Sequence, residues 1–382
     1  MKSLSASLLL LCLFTFAKAQ QPAAFTVTPV ADGLYHLYYD SSTAKSTVLE
    51  FDKFIVLLEV PVKNEGGGAT NLKDHLAGGN KVLAALKSHF PNKPLRYVLH
   101  THWHPHSISS VKPFISNGVT LVTTRTNFEK LKEFVEPATL KAHEKNIQFV
   151  DSDSLVIRDK KNHLVAYRFL KRDFQSTPTT EYLYFYLPKY KALHSGCMFF
   201  RMAGQVEGRE ILNDRVKDLN HFLETKHLSP TSFIRYNGDT DEPQAMVPYE
   251  KFHSLVSQGI SSSEISTKYF SLPESDLPLK QDSLLQVLVR NTVPVSMVNS
   301  AAYASLRENK LLKALSLAQI QVLLNPSDAN AWDTLGEVYF FLGQKEMAAH
   351  YEKQSLKINP AFSVGGEKVW QTNLETFRKN WK

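Results

Sequence analysis

Apolar and polar positions alternate in short runs over the first part of the chain. Phe25-Thr-Val-Thr28, Leu34-Tyr-His-Leu-Tyr-Tyr39, Ser46-Thr-Val-Leu-Glu-Phe51 and Phe54-Ile-Val-Leu-Leu58 read as strands, with Asp32-Gly33 and Asp52-Lys53 where hairpin turns belong. Gly66-Gly67-Gly68, with no side chains to pack, reads as a mobile loop. A period near 3.6 follows, with Val82, Leu83, Leu86 and Phe90 on one face of a helix from about Gly79 to Phe90, stopped by Pro91 and Pro94. Further strands are expected at 119–123, 147–150, 155–157, 163–170, 182–187, 192–194 and 232–236. Helices are expected near 109–116, 127–135, 214–225 and 247–257. Strands, then mixed elements, then strands again and a closing helix predict an α+β arrangement of two sheets sandwiched between helices. No G-x-G-x-x-G or Walker loop is present, so the pattern gives no support to a nucleotide-binding fold.

Residues 261–281 are rich in serine, proline and charge and read as a linker, beyond which the periodicity is helical only. Trp332-Asp-Thr-Leu-Gly-Glu-Val-Tyr339, then Gly343, Ala348, Leu356 and Pro360, follow the spacing of a 34-residue helix-turn-helix repeat, with small residues where two helices approach. One repeat earlier, Ala302, Ala314 and Pro326 take the places of Gly336, Ala348 and Pro360. Two tetratricopeptide-like repeats either brace the first domain or offer a groove to a protein partner.

Met1 to Ala19 has the layout of a secretory signal, with Lys2 at the start, an apolar core from Leu8 to Phe16, and Ala17-Lys-Ala19 as the cleavage site. That core is too short to span a bilayer, so the reading is a periplasmic or secreted protein without stable membrane insertion. The organisation expected is therefore a signal peptide at 1–19, a mixed domain at 20–260, a linker at 261–281 and a helical domain at 282–382. Losing Lys2 and Lys18 with the leader lowers the formal charge from +7 to +5. That mild excess, without a basic cluster interleaved with aromatics, does not suggest nucleic-acid binding. Cys197 is the one cysteine beyond the leader, so it has no intramolecular disulfide partner; it is either a small buried apolar residue or a metal ligand.

The candidate chemistry lies in Arg96-Tyr-Val-Leu-His-Thr-His-Trp-His-Pro-His-Ser107, where an apolar run empties into histidines at 100, 102, 104 and 106. In an extended strand the first and last rings would stand roughly 20 Å apart. Zinc holds its nitrogen ligands at about 2.0–2.1 Å, so shared ligation requires the chain to curl. Pro105 is the expected bend, with Trp103-His104 extended before it.

Together with Leu187-Pro-Lys-Tyr-Lys-Ala-Leu-His-Ser-Gly-Cys197 and Ile234-Arg-Tyr-Asn-Gly-Asp239, this stretch resembles the metallo-β-lactamase superfamily over roughly residues 24 to 258. The resemblance implies a four-layer αββα metallo-β-lactamase-like sandwich followed by the helical-repeat domain. The family's motif reads T-H-x-H-x-D-H; His102 and His104 match its first two ligands, while His106 stands for the aspartate and Ser107 for the third histidine. Ser176 and Asn237 replace two further histidines, and Cys197 takes the bridging-carboxylate position. A standard two-metal site cannot be assembled from this set. The resemblance leaves one possible zinc on His102 and His104, with His106 and Cys197 as weaker candidates and no catalytic base identified. The function implied is an exported hydrolase acting on an ester, amide or lactone. The alternatives are a catalytically inactive relative that binds a small molecule or a protein, and a purely structural scaffold.

Overall fold

The structure, a computed structural model, describes residues 25–38, 45–60, 72–170, 179–199, 201–235, 246–363 and 365–380. The expected signal peptide, the Gly66–Gly68 loop, Ser176 and Asn237 lie outside these residues. The described residues form two compact units, the first drawn from 25–60, 72–152 and 156–163, the second from 153–155 and 164–380.

In the first unit β1 (Thr26–Ala31), β2 (Leu34–Tyr38), β3 (Lys45–Glu50) and β4 (Ile55–Leu58) run as an antiparallel meander. Asp32-Gly33 makes the first turn as expected, with Gly33 at φ 76°. Helix α1 (Leu72–His89) then leads to β5 (Leu95–Leu99), parallel to β4. Helices α2 (Pro105–Ile108) and α3 (Lys112–Ser116) carry the chain to β6 (Thr120–Thr123), parallel to β5. Helices α4 (Arg125–Leu131) and α5 (Pro137–Ala142) lead to β7 (Ile147–Phe149), which closes the sheet in the order β1 to β7. Every residue of β4 is buried, the pattern of a central strand covered on both faces. Leu57, Val98 and Leu121, from three neighbouring strands, are enclosed in one core with Val82, Leu86, Phe114 and Ile115. Each such side chain contributes roughly 1.5–3 kcal/mol relative to exposure. A Cβ on Gly79 would lie 2.6 Å from the Ser110 carbonyl oxygen and 2.9 Å from Pro113, so α1 seats against the loop and helix after the histidines only because that position is glycine.

A six-stranded sheet joins β8 (Ser154–Arg158), β9 (His163–Leu170), β10 (Glu181–Leu187), β11 (Ala192–Gly196), β14 (Ser232–Arg235) and β15 (Met246–Pro248), in the order β15-β14-β11-β10-β9-β8, and all of it from Leu164 on belongs to the second unit. A small sheet joins β12 (Arg201–Val206), β13 (Arg209–Leu212) and β16 (Ile260–Ser261), while α6 (Asp214–Thr225) and α7 (Tyr249–Gln258) supply Phe222, Leu223 and Phe252 to a core with Tyr182, Tyr184 and Phe233. Helices α8 (Ser262–Phe270), α9 (Leu277–Arg290), α10 (Val295–Arg307), α11 (Leu311–Leu324), α12 (Ala329–Phe341), α13 (Lys345–Ile358) and α14 (Gly366–Asn380) follow. The α+β part followed by helices alone is thus present as the pattern predicts. Helices α12 and α13 begin 34 residues after α10 and α11.

Two expectations are corrected. The stretch 261–281 contains α8 and the start of α9 instead of an open linker. Ser261 and Glu264 form a reciprocal capping box at the start of α8. Ile265, Tyr269, Phe270 and Leu277 share a core with Ile211, Ile260 and Met297, so apolar burial fixes the stretch despite its serine and proline content. The bend expected at Pro105 starts earlier: the chain already turns at Thr101, His102 and His104, and Pro105 opens α2 from its first helical position, where its missing N–H is no loss. Among the described residues no helix is long and apolar enough to cross a membrane.

Candidate metal site

Strand β5 ends at Leu99, and the next residues turn instead of continuing it. His100 is fully buried with Nε2 2.6 Å from Thr123 Oγ1. Burial pushes its imidazole down to about 3, which makes it a neutral core residue that ties β5 to β6.

Glu59 follows β4 and adopts φ 60°, a left-handed conformation that costs a non-glycine residue about 1–3 kcal/mol. Its N–H donates to the Leu99 carbonyl oxygen at 2.8 Å, extending the β4–β5 ladder, and its carboxyl is fully buried. Oε1 accepts the Thr101 N–H at 2.8 Å and also the Thr101 hydroxyl. Burial raises this carboxyl to about 7, against the lowering effect of the bonds from Thr101 and Ser107.

Thr101 Oγ1 also lies 2.7 Å from His102 Nδ1, and His102 Nε2 lies 3.1 Å from His104 Nδ1. These contacts assign the protons. Oε1 of Glu59 already receives a backbone N–H and so acts as an acceptor, which directs the single Thr101 hydroxyl proton toward it. Thr101 Oγ1 then accepts from His102 Nδ1–H, with Nε2 of the same ring facing His104 Nδ1. The His102 ring is buried, the His104 ring is partly buried, and their centroids are 4.6 Å apart. Trp103 packs edge-on to His104 at 5.0 Å, with Lys130 Nζ 5.2 Å from the indole centroid.

The structure therefore brings two of the four sequence candidates together, His102 and His104. His106 falls within α2. Cys197 belongs to the second unit, buried after β11 beside Gly196 at φ 54°. Its N–H donates to Tyr182 Oη at 2.8 Å, and that hydroxyl donates to the Ser195 carbonyl oxygen at 3.1 Å, which pins the turn. Among the described residues no group of three or more histidine, cysteine, aspartate and glutamate side chains is arranged to hold a metal. Glu59 and Thr101 were missed in the sequence. The available signal was an acid placed directly after the wholly apolar Ile55-Val-Leu-Leu58.

The two imidazole nitrogens suit a shared ion in their separation. Two ligands at about 2.0–2.1 Å from a tetrahedral zinc stand about 3.3 Å apart, close to the 3.1 Å seen here. A pair falls short of the three protein ligands of a catalytic zinc.

An α+β part bearing a buried histidine turn, continued by a helical region, is the class that fold and site define. No family model matches the chain, and no curated protein matches it. Solved structures do. A metallo-β-lactamase from Pontibacter korlensis is 13% identical, with 61% of this chain and 97% of that one covered at a TM-score of 0.41. The mono-zinc form of the metallo-β-lactamase FIM-1 from Pseudomonas aeruginosa is 13% identical, covering 60% and 92% at 0.39. The inverting sec-alkylsulfatase Pisa1 from Pseudomonas sp. is 11% identical, covering 90% and 67% at 0.43. At these identities and scores the likenesses fix neither an activity nor a ligand set for this chain.

Proposed function

We propose that this chain is an exported, metallo-β-lactamase-type hydrolase with a degenerate site that takes one zinc-class ion between His102 Nε2 and His104 Nδ1. The observation that carries the reading is the 3.1 Å separation of two imidazole nitrogens, one of them oriented through Thr101 by a buried acid. A bound ion would supply Lewis-acid polarisation of a carbonyl and a more acidic water, the chemistry needed to hydrolyse an ester, amide or lactone. The chain's own residues do the rest: Thr101 holds the His102 ring, Glu59 holds Thr101, and Trp103 limits how His104 turns. His106, in α2 of the same unit, is the proposed further ligand.

Metal analysis of tag-free protein tests this. The expected result is one equivalent of zinc, lost in the His102→Ala/His104→Ala double variant. Protein that binds no zinc, with a melting temperature indifferent to zinc and to EDTA, overturns the proposal. A second reading is a non-catalytic relative that binds a small molecule or a protein through its pocket or its helical tail. Zinc binding with no hydrolysis of ester, amide or lactone panels would support that second reading. Export is tested by the mature N-terminus, expected at Gln20.

A further inference from the structure

The helical region contains a buried group of acids that the proposed function does not use. Asp333 and Glu337 sit one turn apart on α12, the i,i+4 spacing at which like charges repel. Glu352 of α13 is fully enclosed, and Asp333 is 8% exposed. Trp370 of α14 donates its indole N–H to Asp333 Oδ1 at 2.8 Å, and Tyr303 of α10 donates to Glu337. Gly336 permits this close assembly: a Cβ there would lie 3.1 Å from the Ala348 carbonyl oxygen, 3.3 Å from the Glu352 nitrogen and 3.4 Å from the Trp370 ring.

Among the described residues no cation compensates these acids. The groups acting on them are Tyr303 from α10, one another across α12 and α13, Ser363 from the following turn, and Glu367 from α14, whose own partner is Lys353 at 3.5 Å on the rim. Helix α11 brings Ala314, Ala318 and Val322 to the shared core. Neither oxygen of the enclosed Glu352 meets a nitrogen or hydroxyl donor in good hydrogen-bonding geometry, and the Ser355 hydroxyl one turn on is likewise enclosed without a partner. Glu352 interacts with the Ser363 hydroxyl and with Asp333, and two carboxyls bond to each other only through a proton held between them.

We propose that this cluster is a proton-operated latch: the last helix, α14, is seated on the α12–α13 hairpin while Asp333 and Glu352 share a proton, and is released as alkali removes it. The direction follows from burial, which raises all three carboxyls above the ordinary carboxylate range. A group whose folded value is raised contributes stability in acid that is lost as pH climbs through that value. Asp333 is the acid to which Trp370 is bonded, so α14 is the element that feels the change.

Hydrogen exchange of the full chain at pH 5.5 and 8.5, corrected for intrinsic rates, tests the latch. Protection over 366–380 is expected to fall at least about tenfold at the higher pH, while β10 and β11 of the same unit stay protected. Glu352→Gln and Glu337→Gln, which cannot ionise, are expected to keep α14 protected at pH 8.5; if one fails to fold, Asp333→Asn serves in its place. Equal protection of α14 at both pH values, loss spread evenly over the whole unit, or glutamine variants that lose protection as the wild type does would each overturn the proposal.

Discussion

Replacing Thr101 by valine keeps the shape of the side chain and removes one oxygen. That oxygen donates to the buried Glu59 carboxyl and sits 2.7 Å from His102 Nδ1 on a ring with no exposure. After the change Glu59 Oε1 keeps the Thr101 N–H, at 2.8 Å, and His102 Nδ1 loses the hydroxyl it faces. A buried donor left unsatisfied costs about 1–3 kcal/mol, and a lost bond to a charged acceptor about 1.5–3 kcal/mol. Easier burial of valine offsets part of this, so the net destabilisation expected is roughly 2–4 kcal/mol, confined to the first unit. Urea-dependent hydrogen exchange of peptides from β5 and β6 reads that unit separately. With a denaturant slope of about 1–3 kcal/mol per molar, the midpoint should fall by about 1–2 M. Thr101→Ser, which keeps the hydroxyl, should recover most of the loss, and the ring nitrogen resonances of His102 should show a fixed Nδ1–H tautomer in wild type and serine variant only. A valine variant within about 0.5 kcal/mol of wild type, the range of an inconsequential substitution, or a serine variant as damaged as valine, would refute the relay.

Glu59 gives the first unit a pH dependence of its own. Its folded value of about 7 lies above the ordinary 4.5, so its neutral form stabilises the fold below about 4.5 and that contribution fades as pH rises through 7. The separation is worth roughly 3 kcal/mol; exchange in β5 should accelerate between pH 5 and 8 beyond the intrinsic rate, and Glu59→Gln should flatten the profile. Gly79→Ala, which drives a methyl to 2.6 Å from the Ser110 oxygen, should cost about 1–3 kcal/mol by overpacking, read as a lowered urea midpoint with an unchanged far-ultraviolet spectrum. Ser261→Ala removes the cap of α8 and should cost about 1 kcal/mol, detectable as faster exchange in 262–270.

The alternation of the first strands, the Asp32-Gly33 turn and the change to a helix-only pattern after about residue 281 were all legible, because period and turn chemistry are local properties. The linker reading failed at 261–281 for a related reason. Serine and proline there carry local meanings, an N-cap at Ser261 and a first-turn position for Pro278 in α9, that composition alone disguises as loop. Pro105 marks the change of direction only approximately, because the chain bends over 101–104 and the proline then serves as the first residue of α2.

The amino-acid order determined that histidines at 102 and 104 would follow a buried strand, and that an acid would end another. Only the tertiary structure set those two strand ends side by side, with the β4–β5 pairing placing Glu59 under Thr101 and turning two imidazoles to within 3.1 Å. The same holds for Asp333, Glu337 and Glu352, which read as ordinary charged helix residues until Gly336 lets three helices close on them. Side-chain type is written in the chain, whereas the loss of water around it, which gives a carboxyl or an imidazole its working chemistry, comes from neighbours distant in sequence.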